Sequence, residues 1–230
     1  MSLRQELREL EEVARAKRSA DAQASLDALL EQLRRTQLDR VCLQVGETAP
    51  DFELPDAEGR LVSLDAALQM GPVVIAFYRG GWCPYCSLAL NALQKALPRI
   101  NALGASLLAI SPQLNPGPRA TRDKLALTFP LLADRGNKVG RLFGLTFRLP
   151  DDLVRLYRRI DIDIAAINGT QDWELPLPAT YVIGRNGDVT HAFIEVDFTE
   201  RAEPADLISA LETLNGRAAP AQPALKARAL

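Results

Sequence analysis

The chain of 230 residues has little of what metal or nucleic-acid chemistry requires. It contains one histidine and three cysteines, which are Cys42, Cys83 and Cys86. Structural zinc takes four Cys or His ligands at paired spacings, and only Cys83 and Cys86 have such a spacing, so a zinc site is disfavoured. The 27 basic and 29 acidic residues leave a net charge of −2, with no basic excess for nucleic acid.

Long apolar runs are also missing. No run approaches the roughly 18 residues that a membrane-spanning helix needs. The first residues, "MSLRQELRELEEVARAKR", mix charge with leucine, unlike a secretory signal. Without such a signal, an odd and small number of cysteines argues against a structural disulfide framework. We therefore expect a cytoplasmic protein with no membrane partner, no nucleic-acid partner and no cofactor.

The hydrophobic pattern divides the chain into three parts. Residues 1–44 carry two leucine stripes at helical spacing, which predict a helical extension that packs on the core or on a second copy in a homodimer. Residues 45–215 read as one α/β domain. Residues 216–230 are rich in Pro and Ala without a sustained apolar pattern, so we expect a mobile tail there.

Strands and helices alternate in the central part. A hairpin is predicted around the turn "PDAEGR", and the apolar run over 73–77 predicts a strand buried on both faces. A helical stripe follows, and "ASLLAIS" over 105–111 is a second buried strand. This order predicts parallel pairing through a right-handed crossover. Residues 147–176 show no clear pattern apart from one helix, and Asn186-Gly187 predicts a second hairpin.

The stretch "GGWCPYC" lies where the first buried strand ends and the helix begins. Pro84 suits the first helical turn, which places Cys83 at the N-cap and Cys86 inside that turn. Unpaired N–H groups and the helix dipole favour a thiolate there. Residues three apart on a helix are neighbours, so the two sulfurs can form a disulfide. Because so short a loop would stabilise the fold little, the pattern predicts a redox centre.

Accessibility distinguishes the two sulfurs. Cys86 lies on the apolar stripe with Leu90 and Leu93, so its side chain should point inward. Cys83 lies at the loop and should be more exposed, which favours Cys83 as the attacking sulfur and Cys86 as the resolving one. Cys42 is predicted to be a small core residue.

Several segments together resemble one family. The segments "APDFELPDAEGRLVSL", "VVIAFYRGGWCPYC", "FPLLADRGNKVGRLFGL" and "LPLPATYVIGRNGDV" occur in the order typical of the alkyl hydroperoxide reductase/thiol-specific antioxidant (peroxiredoxin) branch of the thioredoxin superfamily. The resemblance covers roughly residues 45–215. It implies a thioredoxin fold, with a central mixed sheet flanked by helices. It also implies thiol-dependent reduction of peroxides.

The chain departs from the family pattern P-x-x-x-T-x-x-C. Counted without gaps, Arg79 takes the place of the proline, Cys83 that of the threonine and Cys86 that of the peroxidatic cysteine. The family's later arginine is replaced by Pro178, which resembles the cis-proline of thioredoxin-like reductases. Trp82 resembles the tryptophan before the thioredoxin cysteines. The gap-free alignment with the family pattern therefore favours Cys86 as the attacking sulfur, whereas the predicted accessibility favours Cys83.

The resemblance, the cysteine pair and the N-terminal helices together leave three functions open. The first is a peroxidase that reduces hydrogen peroxide or organic hydroperoxides through the cysteine pair, with Arg79 holding the peroxide. The second is a thiol–disulfide oxidoreductase acting on protein or glutathione disulfides, with Trp82 and Pro178 positioning the substrate. The third is a redox-sensing binding protein. Both enzymes would need an external thiol reductant, thioredoxin-like or glutathione.

Overall fold

The computed structural model describes residues 1–217, so the predicted tail over 216–230 lies, apart from its first two residues, outside the described residues. The elements in chain order are α1 (Leu3–Lys17), α2 (Ala20–Thr36), α3 (Leu38–Val41), β1 (Glu53–Pro55), β2 (Leu61–Ser63), α4 (Leu64–Met70), β3 (Val73–Phe77), α5 (Pro84–Ala102), β4 (Ser106–Ser111), α6 (Gly117–Leu125), β5 (Leu131–Ala133), α7 (Lys138–Leu142), β6 (Thr146–Arg148), α8 (Asp151–Arg159), α9 (Ile164–Asn168), β7 (Glu174–Pro176), β8 (Ala179–Ile183), β9 (Val189–Ile194) and α10 (Pro204–Arg217).

Five of the strands form the central sheet, in the order β5-β4-β3-β8-β9. The β3–β4 and β4–β5 pairs are parallel, and the β3–β8 and β8–β9 pairs are antiparallel. Every residue of β3 is buried, because this strand lies in the middle of the sheet with helices on both faces. The predicted β3-α5-β4 unit and the central mixed sheet are confirmed.

Each of the two N-terminal helices begins after a serine N-cap. The side chain of Ser2 accepts a hydrogen bond from the N–H of Gln5, and the side chain of Ser19 accepts one from the N–H of Ala22. Helix α1 packs against α5, and α2 packs against α8. The buried residues of the two stripes are Leu3, Leu7, Leu26, Leu29 and Leu33. The extension therefore packs on the domain of its own chain.

The segment over 147–176 holds more structure than its sequence pattern predicts. It contains α8, α9 and a short hairpin in which β6 pairs with β7. Strands of three residues are too short for an alternation of apolar and polar side chains to be recognised. Helix α8 matters for the site because it carries Tyr157. Among residues 1–217, no helix is both long and apolar enough to cross a membrane.

Candidate redox site

The cysteine pair lies between the carboxyl end of β3 and the first turn of α5. Cys83 is the N-cap of α5, and Pro84 opens the helix, as predicted. The loop before them requires glycine. Gly80 has a φ of +145°, and a Cβ there would lie 2.4 Å from Trp82 Nε1. The loop is held in place by a hydrogen bond from Gly81 N–H to Gln113 Oε1 at 2.8 Å.

Both sulfur-bearing residues are fully buried. Cys83 and Cys86 are each 0% exposed, so the prediction that Cys83 is the accessible sulfur is wrong for this structure. The cause is a cover of aromatic side chains from distant segments. The ring centroid of Trp82 lies 5.6 Å from that of Tyr157, and the Arg79 guanidinium lies over the rings of both Trp82 and Phe198. A sequence pattern around the cysteines cannot show this cover.

Arg79 binds Cys83 directly. Its Nη2 donates to Cys83 Sγ at 3.0 Å, and the whole residue is only 4% exposed. The guanidinium carbon lies 5.3 Å from the ring centroid of Trp82 and 4.3 Å from that of Phe198, so two aromatic faces hold it. Burial opposes the charge on Arg79, but the sulfurs of Cys83 and Cys86 outweigh burial and raise its pKa. The structure therefore places the predicted Arg79 in the site as a charged group.

A second arginine, which the sequence analysis missed, binds the other sulfur. Arg201 Nη2 donates to Cys86 Sγ at 3.3 Å. Its Nη1 donates to the carbonyl oxygens of Phe198 at 2.5 Å and Glu200 at 2.6 Å, which fixes its orientation. Arg201 is 6% exposed and lies in the loop between β9 and α10. No spacing in that loop distinguishes this arginine from one in solvent.

The surroundings give the two cysteines opposite pKa shifts. Burial, followed by the hydrogen bond with Cys86, raises the pKa of Cys83 well above its ordinary value. Burial acts against ionisation of Cys86 too. However, the hydrogen bond from Cys83 and the charges of Arg201 and Arg79 outweigh it and hold the pKa of Cys86 well below its ordinary value. The two thiols therefore titrate as a pair, and the charges of the two arginines favour one negative charge on that pair.

Pro178 lies near the pair but does not have the conformation that the resemblance implied. It precedes β8, one residue beyond the register pair of Phe77 with Ala179, and is therefore level with the loop that follows β3. The only cis peptide bond within residues 1–217 is Asn115–Pro116, so the bond before Pro178 is trans. Pro178 therefore differs in its peptide bond from the cis-proline of the reductases that it resembles.

The N-terminal extension contacts the cysteine loop directly. Tyr85, the residue between Pro84 and Cys86, donates a hydrogen bond from its hydroxyl to the Glu11 carboxylate of α1. Glu11 in turn forms a two-point ion pair with Arg18, with N–O distances of 2.9 and 3.0 Å. The extension therefore forms part of the wall around the site.

Cys42 takes no part in this arrangement. It is 2% exposed, and its thiol contacts the carbonyl oxygens of Leu38 at 2.8 Å and Gly144 at 3.2 Å. Burial raises the pKa of the Cys42 thiol to about 12. The prediction that Cys42 is a core residue is confirmed. Within the described part of the chain, no three His, Cys, Asp or Glu side chains lie close enough together to hold a metal.

The central domain is similar to proteins of known families. Residues 45–192 match the AhpC/TSA family, and the extension lies outside that match. A chloroplastic peroxiredoxin Q from Sedum lineare is 34% identical over 144 residues, which is 63% of this chain and 65% of that protein. The thiol-disulfide oxidoreductase ResA from Geobacillus thermodenitrificans is 29% identical over 154 residues, 66% of this chain and 70% of that protein. The chain thus spans slightly less than two thirds of the peroxiredoxin Q relatives it matches.

Solved structures agree on the fold. Peroxidoxin BcpB from Mycobacterium tuberculosis superposes with a TM-score of 0.57 at 24% identity, over 76% of this chain and 98% of that one. Peroxiredoxin Q from Xanthomonas campestris gives a TM-score of 0.57 at 19% identity, over 75% and 97%. At this level of identity, the likeness shows the fold alone. The predicted thioredoxin fold is confirmed.

Proposed function

The chain belongs to the AhpC/TSA family, and from this premise we propose that it is a thiol-dependent peroxidase whose centre is Cys83 and Cys86. The observation that carries the proposal is the pairing of each buried sulfur with its own guanidinium, Arg79 on Cys83 and Arg201 on Cys86. Two fixed positive charges stabilise a thiolate and the negative charge that develops as a peroxide bond breaks.

The first step oxidises Cys86. Its thiolate attacks the terminal oxygen of a hydroperoxide ROOH, the O–O bond breaks, and Cys86 becomes a sulfenic acid. The departing alkoxide takes the proton of the Cys83 thiol and leaves as ROH. Cys83 is left as a thiolate, whose charge is stabilised by Arg79 at 3.0 Å.

The second step forms the disulfide. The Cys83 thiolate attacks the sulfenic sulfur of Cys86, the S–O bond breaks, and hydroxide leaves and takes a proton from solvent to become water. Both cysteines are free thiols in this structure. An external thiol then returns two electrons to the disulfide.

Rapid mixing of the reduced protein with hydrogen peroxide tests this function. Oxidation of the pair beside Trp82 should change tryptophan fluorescence, and the observed rate should rise linearly with peroxide concentration. The second-order rate constant should exceed that of free cysteine thiolate by several orders of magnitude, because the charge-stabilising donors are preorganised. A rate constant equal to that of free cysteine thiolate would mean that the protein is not a peroxidase.

The similarity to ResA supports a second candidate, thiol–disulfide exchange on protein or glutathione disulfides. The Cys-Pro-Tyr-Cys sequence at a helix N-terminus suits that chemistry equally well. Reduction of insulin or glutathione disulfide by the reduced protein would favour this candidate if peroxide reacts slowly. The burial of Cys83 weighs against a docked protein substrate.

Three expectations remain predictions. These are a cytoplasmic location, a homodimer and a redox-sensing role without turnover. Size-exclusion chromatography of the reduced and oxidised protein tests the last two together, since a sensor should change its assembly when the pair is oxidised. A constant molecular mass in both states, together with rapid peroxide turnover, would favour the peroxidase over the redox sensor.

A further inference from the structure

Two cavities meet the cysteine pair from different sides. A small one of about 20 Å³ is lined by Cys86, Arg201, Thr180 and Leu3. A large one of about 520 Å³ is lined by Trp82, Pro84 and Tyr85, which flank Cys83 in the chain, and by Phe198. The two cavities share no lining residue. Cys86 itself lines the small cavity, whereas the large cavity is lined by the chain neighbours of Cys83 and not by Cys83.

The small cavity has room for one water-sized molecule, since a water needs at least about 10–15 Å³ measured in this way. Its polar lining includes the Arg201 guanidinium, which is already fixed on Cys86 Sγ. Hydrogen peroxide is only one oxygen larger than water. A hydroperoxide with an organic body does not fit unless Leu3 or its neighbours move.

The large cavity has the size of a small-molecule binding site, for which about 300–1,000 Å³ is usual. Its outer wall is the junction of α1 and α2, with Ala14, Ala22 and Leu26, and its far wall is α8 and the segment that follows. Most of the lining is apolar. At the rim, Lys17 is exposed and forms no ion pair within residues 1–217, whereas Arg18 is paired with Glu11.

The floor of the large cavity is linked to Cys83 through the Arg79 guanidinium. Trp82 and Phe198, which line it, are the two aromatic residues that hold the Arg79 guanidinium, and Arg79 donates to Cys83 Sγ. In the disulfide state, an attack on Cys83 makes Cys86 the leaving group. The resulting thiolate is the one that Arg201 stabilises, so this direction of attack is favoured.

We propose that the cavity built by the N-terminal extension binds the reductant, a low-molecular-weight thiol with an apolar body and an anionic group, while peroxide meets Cys86 in the small cavity. This inference rests on the proposed peroxidase function. A folded protein dithiol is much larger than this cavity, one wall of which is the α1–α2 junction. A small thiol can enter a cavity of about 520 Å³ and place its anionic group near Lys17.

The reduction is balanced with two monothiol molecules. The first attacks Cys83 Sγ as a thiolate, the Cys83–Cys86 bond breaks, and the electron pair leaves on Cys86 Sγ. Cys83 is then joined to the reductant in a mixed disulfide. The second monothiol attacks the reductant's sulfur, which yields an external disulfide and returns Cys83 as a thiol after one proton is taken up.

The test measures the reductive half-reaction of the full chain by itself. Protein oxidised beforehand with diamide is mixed with 4-mercaptophenylacetate, an anionic aromatic thiol, or with the smaller 2-mercaptoethanol. Ala14→Trp fills the cavity from α1, and Ala16→Trp is the matched control, since Ala16 is exposed on the same helix and does not line the cavity. Phenylacetate, which lacks the thiol, serves as a competitor for the cavity.

We expect Ala14→Trp to lower the rate constant for 4-mercaptophenylacetate by about tenfold or more, and Ala16→Trp to leave it unchanged. The effect on 2-mercaptoethanol should be smaller, and phenylacetate should slow only the aromatic thiol. Hydrogen peroxide should oxidise both reduced variants at the wild-type rate, which also shows that they are folded.

Three results would overturn the inference. The first is an unchanged rate of 4-mercaptophenylacetate with Ala14→Trp. The second is faster reduction of the wild type by a thioredoxin-like protein than by any small thiol. The third is a loss of oxidation by cumene hydroperoxide in Ala14→Trp, which would make the cavity a peroxide site. Failure of hydrogen peroxide to oxidise the wild type would instead overturn the proposed function, and the diamide-oxidised protein would still report on the cavity.

Discussion

Arg201 donates a hydrogen bond to Cys86 Sγ at 3.3 Å, although 115 residues separate them in the chain. The contact joins the loop before α10 to the first turn of α5. It supplies a fixed charge to a sulfur that burial alone would keep protonated. Arg201 also lies outside residues 45–192, the segment that matches the family.

Replacement of Arg201 should therefore raise the pKa of Cys86. In Arg201→Gln, one of the charges that hold this pKa low is removed, and the oxidation rate at pH 7 should fall on the order of a hundredfold. Reactivity needs the thiolate, so the rate of each variant should rise with pH through the pKa of Cys86. The ultraviolet absorbance of the thiolate and the pH profile of the oxidation rate measure this shift.

Arg201→Lys is the matched control, because it keeps the charge but loses the planar fork that also binds the two carbonyl oxygens. Its pH profile should lie between those of the wild type and Arg201→Gln. If Arg201 is only a structural residue, both variants will lose stability without any displacement of the pH profile.

The two cysteines should behave differently when each is replaced by serine. Cys86→Ser removes the thiolate and should abolish rapid oxidation by hydrogen peroxide. Cys83→Ser keeps the Cys86 thiolate and should react once with hydrogen peroxide. This reaction leaves a sulfenic acid on Cys86 that no neighbouring thiol can resolve. Labelling with dimedone followed by mass spectrometry detects that product. A dimedone adduct found only in Cys86→Ser would reverse the assignment and make Cys83 the attacking sulfur.

The core of this site could be predicted from sequence, but its cover could not. The run over 73–77 and the helical stripe after Cys86 locate the pair at a strand–helix junction, because both patterns are local. Tyr157 packs against Trp82 and Phe198 against Arg79, and both aromatic residues come from segments with weak patterns. The role of Arg201 could not be predicted either, because an arginine in a loop has the same local sequence whether it contacts solvent or a buried sulfur.

The hydrogen bond between Tyr85 and Glu11 should stabilise the extension on the domain. Tyr85→Phe removes the hydroxyl, and the free energy of unfolding should fall by about 1 kcal/mol, a modest value because Glu11 is partly exposed. Urea unfolding followed by circular dichroism measures the loss. Glu12→Gln is the control, because Glu12 is exposed on the same helix. Its free energy of unfolding should equal that of the wild type.

The same contact predicts a pH dependence. Burial acts to raise the pKa of Glu11, but the hydrogen bonds from Arg18 and Tyr85 outweigh it and lower that pKa below its ordinary value of 4.5. The stabilisation is therefore complete above the ordinary value and is lost as the pH falls through the lowered one. The difference in stability between the wild type and Glu11→Gln should shrink in acid. An equal difference at neutral and acidic pH would show that the carboxylate charge has no part in it.

Replacement of Gly81 by even the smallest side chain should destabilise the protein. A Cβ at this position would lie 1.9 Å from Thr121 Oγ1 and 3.0 Å from Thr121 Cβ, and the loop is anchored by its N–H on Gln113. Gly81→Ala must displace either α6 or the loop before Cys83, so we expect a loss of about 1–3 kcal/mol in urea unfolding, as for overpacked cores. The displacement should also slow formation of the disulfide. Thr121→Ala removes the closest atom, so the double variant should lose less stability than the sum of the two single variants.

Gly216→Ala, where the Cβ meets no atom within 4 Å, controls for the effect of alanine itself. Additive losses in the double variant would mean that the loop moves away from Thr121 without strain.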